Sequence, residues 1–227
     1  MRVGLVQWQM RPYKTLDDVF EQVEFFVDAV SDYKSDFILF PEYFNAPLMA
    51  KFNHLGEAQS IRGLAQYTEE IRERFVNLAI SYNINIITGS MPLLKEDGAL
   101  YNVGYLIRRD GSYEMYEKVH VTPDEQKSWG LSGGKMVKTF DTDCARIGVL
   151  ICYDVEFPEL SRIMADQGMQ ILFVPFLTDT PERLLPREGV RAGAGHRERV
   201  LRGHRRQRRQ PAPRAQHGHP VCAVGRS

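Results

Sequence analysis

The chain alternates short apolar runs, each about the length of a buried strand, with longer segments whose apolar residues recur at helical spacing. The strand-like runs span residues 2–8, 36–40 and 84–91, and the amphipathic helical segments span residues 16–33 and 61–82. Thr15 is the predicted N-cap of the first helix, because its hydroxyl can accept a hydrogen bond from a free backbone N–H. Strands that alternate with helices predict an α/β fold with the sheet covered by helices.

The second half of the chain adds hairpins to this pattern. Residues 101–121 alternate without helical period, and Asp110 and Gly111 in their middle predict a hairpin turn. Residues 135–154 predict a further strand pair. A helix that begins at Pro158 and ends near Gly168, and then the strand-like run "QILFVPF", follow. The sheet is therefore predicted to contain both parallel and antiparallel pairs.

Three polar residues stand where predicted buried strands end. Glu42 follows "FILFP", Lys118 ends "EMYEK" and Cys152 ends "IGVLI". Each has an ordinary explanation when taken singly, since a buried cysteine is a common packing residue and acids and lysines usually lie at the surface. The ends of strands are nevertheless where α/β folds place their functional groups, which makes the three worth considering together.

Together the three residue types can carry out nucleophilic catalysis without a histidine. A thiol attacks as the thiolate, and a carboxylate in a closed pocket can take its proton. An ammonium group and a backbone N–H can stabilise the oxyanion that forms when a carbonyl or nitrile is attacked. Glu42, Lys118 and Cys152 are therefore candidate base, oxyanion-stabilising group and nucleophile.

The segments around these residues resemble the catalytic blocks of a known superfamily. "FILFPEYF", "MYEKVHVTPDE" and "GVLICYDVEFPELSR" are similar, in this order, to those of the nitrilase or carbon–nitrogen hydrolase superfamily, and the resemblance covers about residues 1–180. It implies an α-β-β-α sandwich and a Glu42-Lys118-Cys152 triad. It also implies that the backbone N–H of Tyr153 joins Lys118 at the oxyanion.

The resemblance further implies two-step acyl transfer through a cysteine thioester, with a small-molecule amide or nitrile as substrate and no cofactor. The "TPDE" loop favours an amide. For the intact fold a homodimer is expected. Which amide or nitrile is recognised stays open.

The remaining polar residues near the blocks have less definite roles. Glu125 resembles the additional glutamate that amidase-type relatives place near the substrate, and its alternative is a solvated loop acid. His120 is predicted to pack or to form a hydrogen bond rather than to catalyse. Asp154 and Glu156 fit turn or capping groups around the nucleophile, and their roles stay open.

The cysteines and the hydrophobic pattern exclude several other classes of protein. Cys144, Cys152 and Cys222 are odd in number and lack C-x-x-C spacing, so neither a disulfide framework nor a zinc site is indicated. The N-terminus "MRVGLVQWQM" lacks the features of a secretory signal, and the apolar runs are too short to span a membrane. The sequence predicts a cytoplasmic protein without a metal.

From Pro181 onward the composition changes. Residues 181–227 contain twelve arginines, no lysine and three glutamates, which gives +9, whereas residues 1–180 carry 17 bases and 26 acids, which gives −9. The same segment has no aromatic residue other than histidine. Single-strand nucleic-acid binders usually interleave aromatic residues with basic ones, so the composition is unusual for a functional basic arm.

The tail is rich in residues whose codons are rich in G and C, as an out-of-frame reading of a GC-rich gene produces. A shifted reading of residues 186–202 allows "RVRVCAQARAIENECY", which resembles a helix of the same superfamily. We therefore predict a hydrolase domain over residues 1–180 that is incomplete at its C-terminus, followed by a frameshifted and disordered tail over residues 181–227. The alternatives are a disordered basic extension, a nucleic-acid-binding protein, or a truncated and inactive family member.

Overall fold

The computed structural model describes residues 1–52 and 54–178 and the backbone of residues 219–226. The strands are β1 Val3–Leu5, β2 Phe37–Leu39, β3 Asn85–Ile87, β4 Met91–Leu94, β5 Leu100–Ile107, β6 Tyr113–Glu117, β7 Leu131–Ser132, β8 Thr139–Asp141, β9 Arg146–Val149, β10 Ile171–Thr178 and β11 His219–Arg226. The α-helices are α1 Leu16–Asp32, α2 Glu57–Ala65, α3 Thr68–Ser81 and α4 Pro158–Asp166. Two 3₁₀ segments span Ala46–Phe52 and Cys152–Glu156, and a π-helical turn spans Glu125–Trp129.

The strands form two mixed sheets. The first has the order β1-β2-β3-β5-β4, and β6 and β7 also pair with β5. Its first three strands are parallel, whereas β5 runs antiparallel to β3, β4 and β6. The second sheet has the order β11-β10-β9-β8, with β9 and β10 parallel and both outer pairs antiparallel. The predicted mixture of parallel and antiparallel pairs is confirmed.

Alternating side chains of β2 show how the layers stack. Phe37 and Leu39 belong to a core cluster that also contains Phe173 of β10, so they pack between the two sheets. Ile38 points the other way and packs with residues of α1 and α3, such as Val27 and Phe75. Strand side chains alternate between faces, so one continuous apolar run supplies two cores.

The second sheet also has apolar side chains on its outer face. Leu172 and Val174 of β10 pack with Leu160 and Met164 of α4 in a third buried cluster. The order of layers is therefore helices, first sheet, second sheet, helix. This is the α-β-β-α arrangement that the resemblance of the three blocks implies, and the fold class is confirmed.

The predicted first helix is confirmed together with its cap. Thr15 Oγ1 accepts a hydrogen bond from the N–H of Asp18 at 3.1 Å, and the Asp18 carboxylate accepts the N–H of Thr15 at 2.9 Å. This reciprocal capping box satisfies two backbone donors that the first turn of a helix leaves free. The hairpin turn at Asp110 and Gly111 and the helix that starts at Pro158 also lie where the sequence predicts them.

Two predicted elements are each divided in the structure. The helix expected over residues 61–82 is two helices, since α2 ends at Ala65 and α3 begins at Thr68, whose buried hydroxyl donates to the carbonyl of Pro92 at 2.6 Å. The strand expected over residues 84–91 breaks at Gly89, whose φ of +71° ends β3 and turns the chain into β4.

The predicted tail over residues 181–227 lies outside the described residues, apart from residues 219–226. These form β11, which pairs along its whole length with β10, in a segment for which the sequence predicted no element. Among the helices that the structure describes, none is both long and apolar enough to cross a membrane.

Candidate active site

Both sheets contribute residues to one group of buried polar side chains. Glu42 lies just beyond β2 and Lys118 directly follows β6 in the first sheet, whereas Cys152 lies just beyond β9 in the second. Glu125 opens the π-helical turn that follows Lys118 along the chain. The structure brings the side chains of Glu42, Lys118 and Glu125 into direct contact, and Cys152 lies beside them.

Lys118 is the centre of this group. Its Nζ lies 2.9 Å from Oε1 of Glu42 and 2.8 Å from each carboxylate oxygen of Glu125. The side chains of Lys118, Glu42 and Glu125 are 1%, 3% and 8% exposed, so water does not screen these charges. A lysine at a hairpin end is usually solvated, and burial of this one requires the two carboxylates that surround it.

The carboxylate of Glu42 accepts hydrogen bonds from three donors. Oε1 accepts hydrogen bonds from Lys118 Nζ and from Nδ2 of Asn102 at 3.0 Å. Oε2 accepts the backbone N–H of Leu177 at 3.1 Å. These contacts come from both sheets and fix the orientation of the carboxylate.

The pKa values of the pair follow from burial and charge. Burial raises the pKa of Glu42 above its ordinary value, and the charge of Lys118 only partly offsets this. Burial alone would lower the pKa of Lys118, but the charges of Glu42 and Glu125 outweigh it and raise that pKa above the ordinary value. Lys118 is therefore a permanent cation, and Glu42 is a stronger base than a solvated glutamate.

Cys152 has a backbone conformation that is unusual for a residue with a side chain. Its φ of +49° lies in the left-handed region, where a non-glycine residue costs about 1–2 kcal/mol. Its Sγ lies 4.0 Å from the carbonyl oxygen of Leu177. Burial and the nearby charge of Glu42 raise the pKa of the thiol, so it is protonated at neutral pH and must lose its proton in order to attack.

Glu125 is buried rather than solvated. Its Oε1 accepts the hydroxyl of Tyr43 at 3.1 Å, and its Oε2 accepts the backbone N–H of Thr122 at 2.7 Å. With Lys118 on both oxygens, the carboxylate has four donor contacts. Glu125 therefore orients Lys118, and it is placed beside the predicted triad.

Tyr43, the residue after Glu42, contacts both ends of the π-helical turn. Its ring stands edge-on to that of Trp129, with centroids 5.4 Å apart, while its hydroxyl reaches Glu125 at the other end of the same turn. Its φ is +50°, a second left-handed conformation next to the site. Such strain persists only where the surroundings determine it, and it is common around functional residues.

The other predicted residues lie around Cys152. Tyr153 is the second residue of the 3₁₀ segment that begins at Cys152, and its ring packs edge-on against Phe157. His120 stacks on Phe157 with ring centroids 3.7 Å apart and lies next to the buried Asp154, which agrees with the prediction that it packs and forms a hydrogen bond. Glu156 is exposed.

Sequence reasoning missed several residues that shape the site. Asn102 is a fully buried polar residue inside the apolar strand β5. A polar residue within the apolar run "LYNVGYLI" could have been identified from the sequence as a candidate site residue. Tyr43 and the N–H of Leu177 gave no such signal, since a tyrosine after a glutamate and a backbone donor in an apolar strand are unremarkable in sequence. Their contacts depend on how the two sheets meet.

The arrangement has the parts that acyl transfer needs. A thiol lies beside a carboxylate of raised pKa and an ammonium group that is locked by two carboxylates. The ammonium is fixed before any substrate binds, so it can stabilise a developing oxyanion without reorganising. The geometry therefore supports attack by a cysteine on a carbonyl or nitrile carbon.

Comparison with known proteins agrees with this geometry. Residues 2–205 match the family described as carbon-nitrogen hydrolase. The chain is 44% identical over 179 residues to the probable hydrolase YhcX of Bacillus subtilis, which covers 79% of this chain and 35% of that protein. It is 33% identical over 187 residues to the omega-amidase NIT2 of Homo sapiens, which covers 77% of this chain and 62% of that protein.

A solved structure shows the same fold. Nit3 of Saccharomyces cerevisiae, a member of branch 10 of the nitrilase superfamily, superposes with a TM-score of 0.66 at 26% identity, over 81% of this chain and 66% of that one. The chain spans about a third of the Bacillus protein and less than two thirds of the human one. The family match continues past residue 180, and the predicted domain boundary there stays a prediction.

Proposed function

This chain belongs to the carbon–nitrogen hydrolase family, and we propose that it hydrolyses a small-molecule amide through a thioester on Cys152. The observation that carries the proposal is the position of Lys118. Its ammonium lies 2.9 Å from Glu42 and 2.8 Å from Glu125, inside a buried group next to a cysteine. Purely structural packing rarely buries three charges beside a thiol, because burial of an ion is costly.

In the first step Glu42 takes the thiol proton as Cys152 Sγ bonds to the amide carbon. The carbonyl oxygen becomes an oxyanion, which Lys118 and the backbone N–H of Tyr153 stabilise. The carbon–nitrogen bond then breaks, and Glu42 returns the proton to the leaving nitrogen. An acyl group remains on Cys152, and ammonia or an amine departs.

In the second step water replaces the leaving group. Glu42 takes a proton from the water as its oxygen attacks the thioester carbon, and the same oxyanion site is used again. The carbon–sulfur bond breaks and the thiol recovers its proton. The products are a carboxylic acid and the free enzyme, so atoms balance without a cofactor.

An amide is favoured over a nitrile as the substrate. The omega-amidase NIT2 acts on amides by its name, and it is a relative at 33% identity. Tyr43, Thr122 and Lys118 already occupy the acceptor sites of the Glu125 carboxylate, so Glu125 does not separate the two substrates. The preference for an amide rests on this relative and on the "TPDE" loop. The homodimer and the cytoplasmic location implied by the sequence stay predictions.

The test is ammonia release from a panel of small primary amides, with the matching nitriles assayed in parallel. We expect Cys152→Ala to abolish release, by roughly 10⁴-fold or more, as removal of a nucleophile does elsewhere. Cys144→Ala is the matched control, because that cysteine is exposed, whereas Cys152 is partly buried. Release that survives in Cys152→Ala contradicts the mechanism.

A second measurement traps the intermediate. Mass spectrometry of the protein mixed with an amide should show the acyl mass on the peptide that contains Cys152. Replacement of Glu42 by Gln should slow both formation and hydrolysis of the adduct, since the same base serves both steps.

A further inference from the structure

Asp154 lies two residues beyond the nucleophile and connects the loops of the two sheets. Its Oδ2 accepts the backbone N–H of Val119 at 3.1 Å, and its Oδ1 accepts the backbone N–H of His120 at 2.7 Å. Nδ1 of His120 lies 3.1 Å from the same Oδ1. Val119 and His120 are the two residues that follow Lys118. A side chain from the loop after β9 thus holds the main chain after β6.

The main chain of Asp154 closes the turn that contains Cys152. Its N–H donates to the carbonyl of Ile151 at 3.1 Å, and its own carbonyl accepts the N–H of Phe157 at 3.1 Å. The first of these bonds encloses Cys152, whose φ is +49°. A strained conformation of this kind is maintained only by surrounding contacts. Asp154 therefore contacts both the main chain that follows Lys118 and the turn that contains Cys152.

We propose that Asp154 is a positioning residue, which sets the placement of the Lys118 ammonium relative to the Cys152 thiol through its hydrogen bonds to Val119 and His120. The inference rests on the proposed function, because that function assigns the thiol and the ammonium to one reaction. Asp154 itself takes no proton from the substrate. Its two oxygens are occupied by backbone donors, and its side chain is fully buried.

A substitution of equal size separates this role from simple packing. Asp154→Asn keeps the shape of the side chain but replaces one acceptor oxygen with an NH₂ group, which cannot accept a backbone N–H. One of the two backbone bonds is therefore lost, and the loop after Lys118 can shift. A misplacement of about 1 Å between reacting groups can slow a reaction by about 100-fold.

The test measures the rate at which iodoacetamide alkylates each cysteine at neutral pH, resolved by peptide mass spectrometry. Alkylation of Cys152 needs removal of its proton, which depends on the alignment of the thiol with its charged neighbours. We expect Asp154→Asn to slow alkylation of Cys152 by about tenfold or more. The rate at the exposed Cys144 in the same molecule should stay within about twofold, since exposed sites away from the change respond little.

Glu156→Gln is the matched control, because Glu156 lies in the same 3₁₀ segment and is exposed. It should leave both rates unchanged. An unchanged Cys152 rate in Asp154→Asn overturns the proposal, and so does an equal change at Cys144, which would indicate general loosening. If Asp154→Asn does not fold, Asp154→Glu keeps the charge and displaces it by one methylene. A wild-type Cys152 rate in that folded variant also overturns the proposal.

Alkylation requires no turnover, so the result is independent of whether an amide substrate is found. If no amide is hydrolysed but Asp154→Asn slows alkylation of Cys152, the proposed function fails and the positioning role stands. Where a substrate is known, the same variant should lower kcat by about tenfold and change KM by less than about threefold. A change confined to KM overturns the positioning role.

Discussion

The backbone N–H of Leu177 donates to Oε2 of Glu42 at 3.1 Å, although the two residues belong to different sheets. Leu177 lies near the end of β10, and the carbonyl of the same residue lies 4.0 Å from the thiol of Cys152. One residue of the second sheet therefore contacts both the proposed base and the proposed nucleophile. The orientation of Glu42 depends on where β10 places this peptide group.

Leu177→Pro should remove this hydrogen bond while the side chain stays apolar. Because a hydrogen bond to a charged group is worth about 1.5–3 kcal/mol, we expect kcat/KM for amide hydrolysis to fall by roughly 10-fold to 100-fold. Leu177→Ala, which retains the N–H, is the matched control and should keep most of the activity. Equal losses in the two variants would show that the side chain, and not the N–H, is what matters.

The pH dependence of hydrolysis should reflect Glu42. The base must be ionised to take the thiol proton, and burial raises its pKa above the ordinary value of 4.5. We therefore expect kcat/KM to rise with pH at a midpoint above that of a solvated glutamate. The raised pKa values of Lys118 and Cys152 predict a plateau that extends far into the alkaline range. A midpoint near 4.5 in a kcat/KM profile would contradict the raised pKa of Glu42, and a profile without this rise would argue against Glu42 as the base.

The same pKa shift predicts how stability changes with pH. A carboxyl group whose pKa is raised by folding binds its proton more tightly in the folded state than in the unfolded state. The contribution of this group to the free energy of unfolding is complete below the pKa that Glu42 has in the unfolded chain. It is lost as the pH rises through the pKa that Glu42 has in the folded protein. In Glu42→Gln this contribution is absent. Urea unfolding at several pH values should therefore show that the free energy of unfolding falls less from acid toward neutral pH in this variant than in the wild type. An identical decline in both proteins would contradict the shift.

Removal of the buried cation should be costly for folding. Lys118→Met leaves Glu42 and Glu125 buried without a partner, and the loss of one member of a buried pair typically costs about 3–5 kcal/mol. The variant Lys118→Met with both Glu42→Gln and Glu125→Gln should recover much of the free energy of unfolding, because no charge then stays unpaired. Denaturant unfolding measures the free energy of unfolding of both variants. If the triple variant is no more stable than Lys118→Met, this account is contradicted.

The sequence predicted the parts of the site that depend on strand ends, and it missed those that depend on how the sheets meet. Glu42 and Cys152 each follow an apolar run, and Lys118 ends the alternating strand of a hairpin, so the pattern shows them. The contact of Tyr43 with Glu125 joins residues 82 positions apart, and no local pattern records it. Strands that are apolar on both faces, such as β2, predicted a sheet covered by helices, whereas the α-β-β-α layers were expected only from the resemblance of the three blocks.

Local breaks in regular elements were harder to predict than the elements themselves. The apolar period continues across the break between α2 and α3, so the pattern predicted one helix there. The hydrogen bond of Thr68 to Pro92 beside the break is a tertiary contact, which no local pattern records. The frameshift predicted near Thr180 is a statement about the gene. Sequencing of that codon in independent clones tests it directly, and an intact single frame would refute it.

Gly89 separates β3 from β4 and allows the chain to pass close to the end of β2. A Cβ at this position would lie 2.0 Å from the carbonyl oxygen of Pro41 and 2.7 Å from that of Phe40. The next residue, Ser90, forms a bridge with Glu42, and its carbonyl accepts the N–H of Tyr43 at 2.8 Å. The glycine therefore supports the backbone next to Glu42, the proposed base.

Gly89→Ala should for this reason be far more damaging than Gly98→Ala. Both glycines have left-handed φ values, +71° and +77°, so each substitution costs about 1–2 kcal/mol of backbone strain. Only Gly89 faces backbone atoms, whereas nothing lies within 4 Å of a Cβ at Gly98. Overpacking against a rigid main chain adds about 3 kcal/mol and displaces Glu42. Equal losses of unfolding free energy, measured by denaturant unfolding, would show that the close approach to Pro41 is not what requires glycine here.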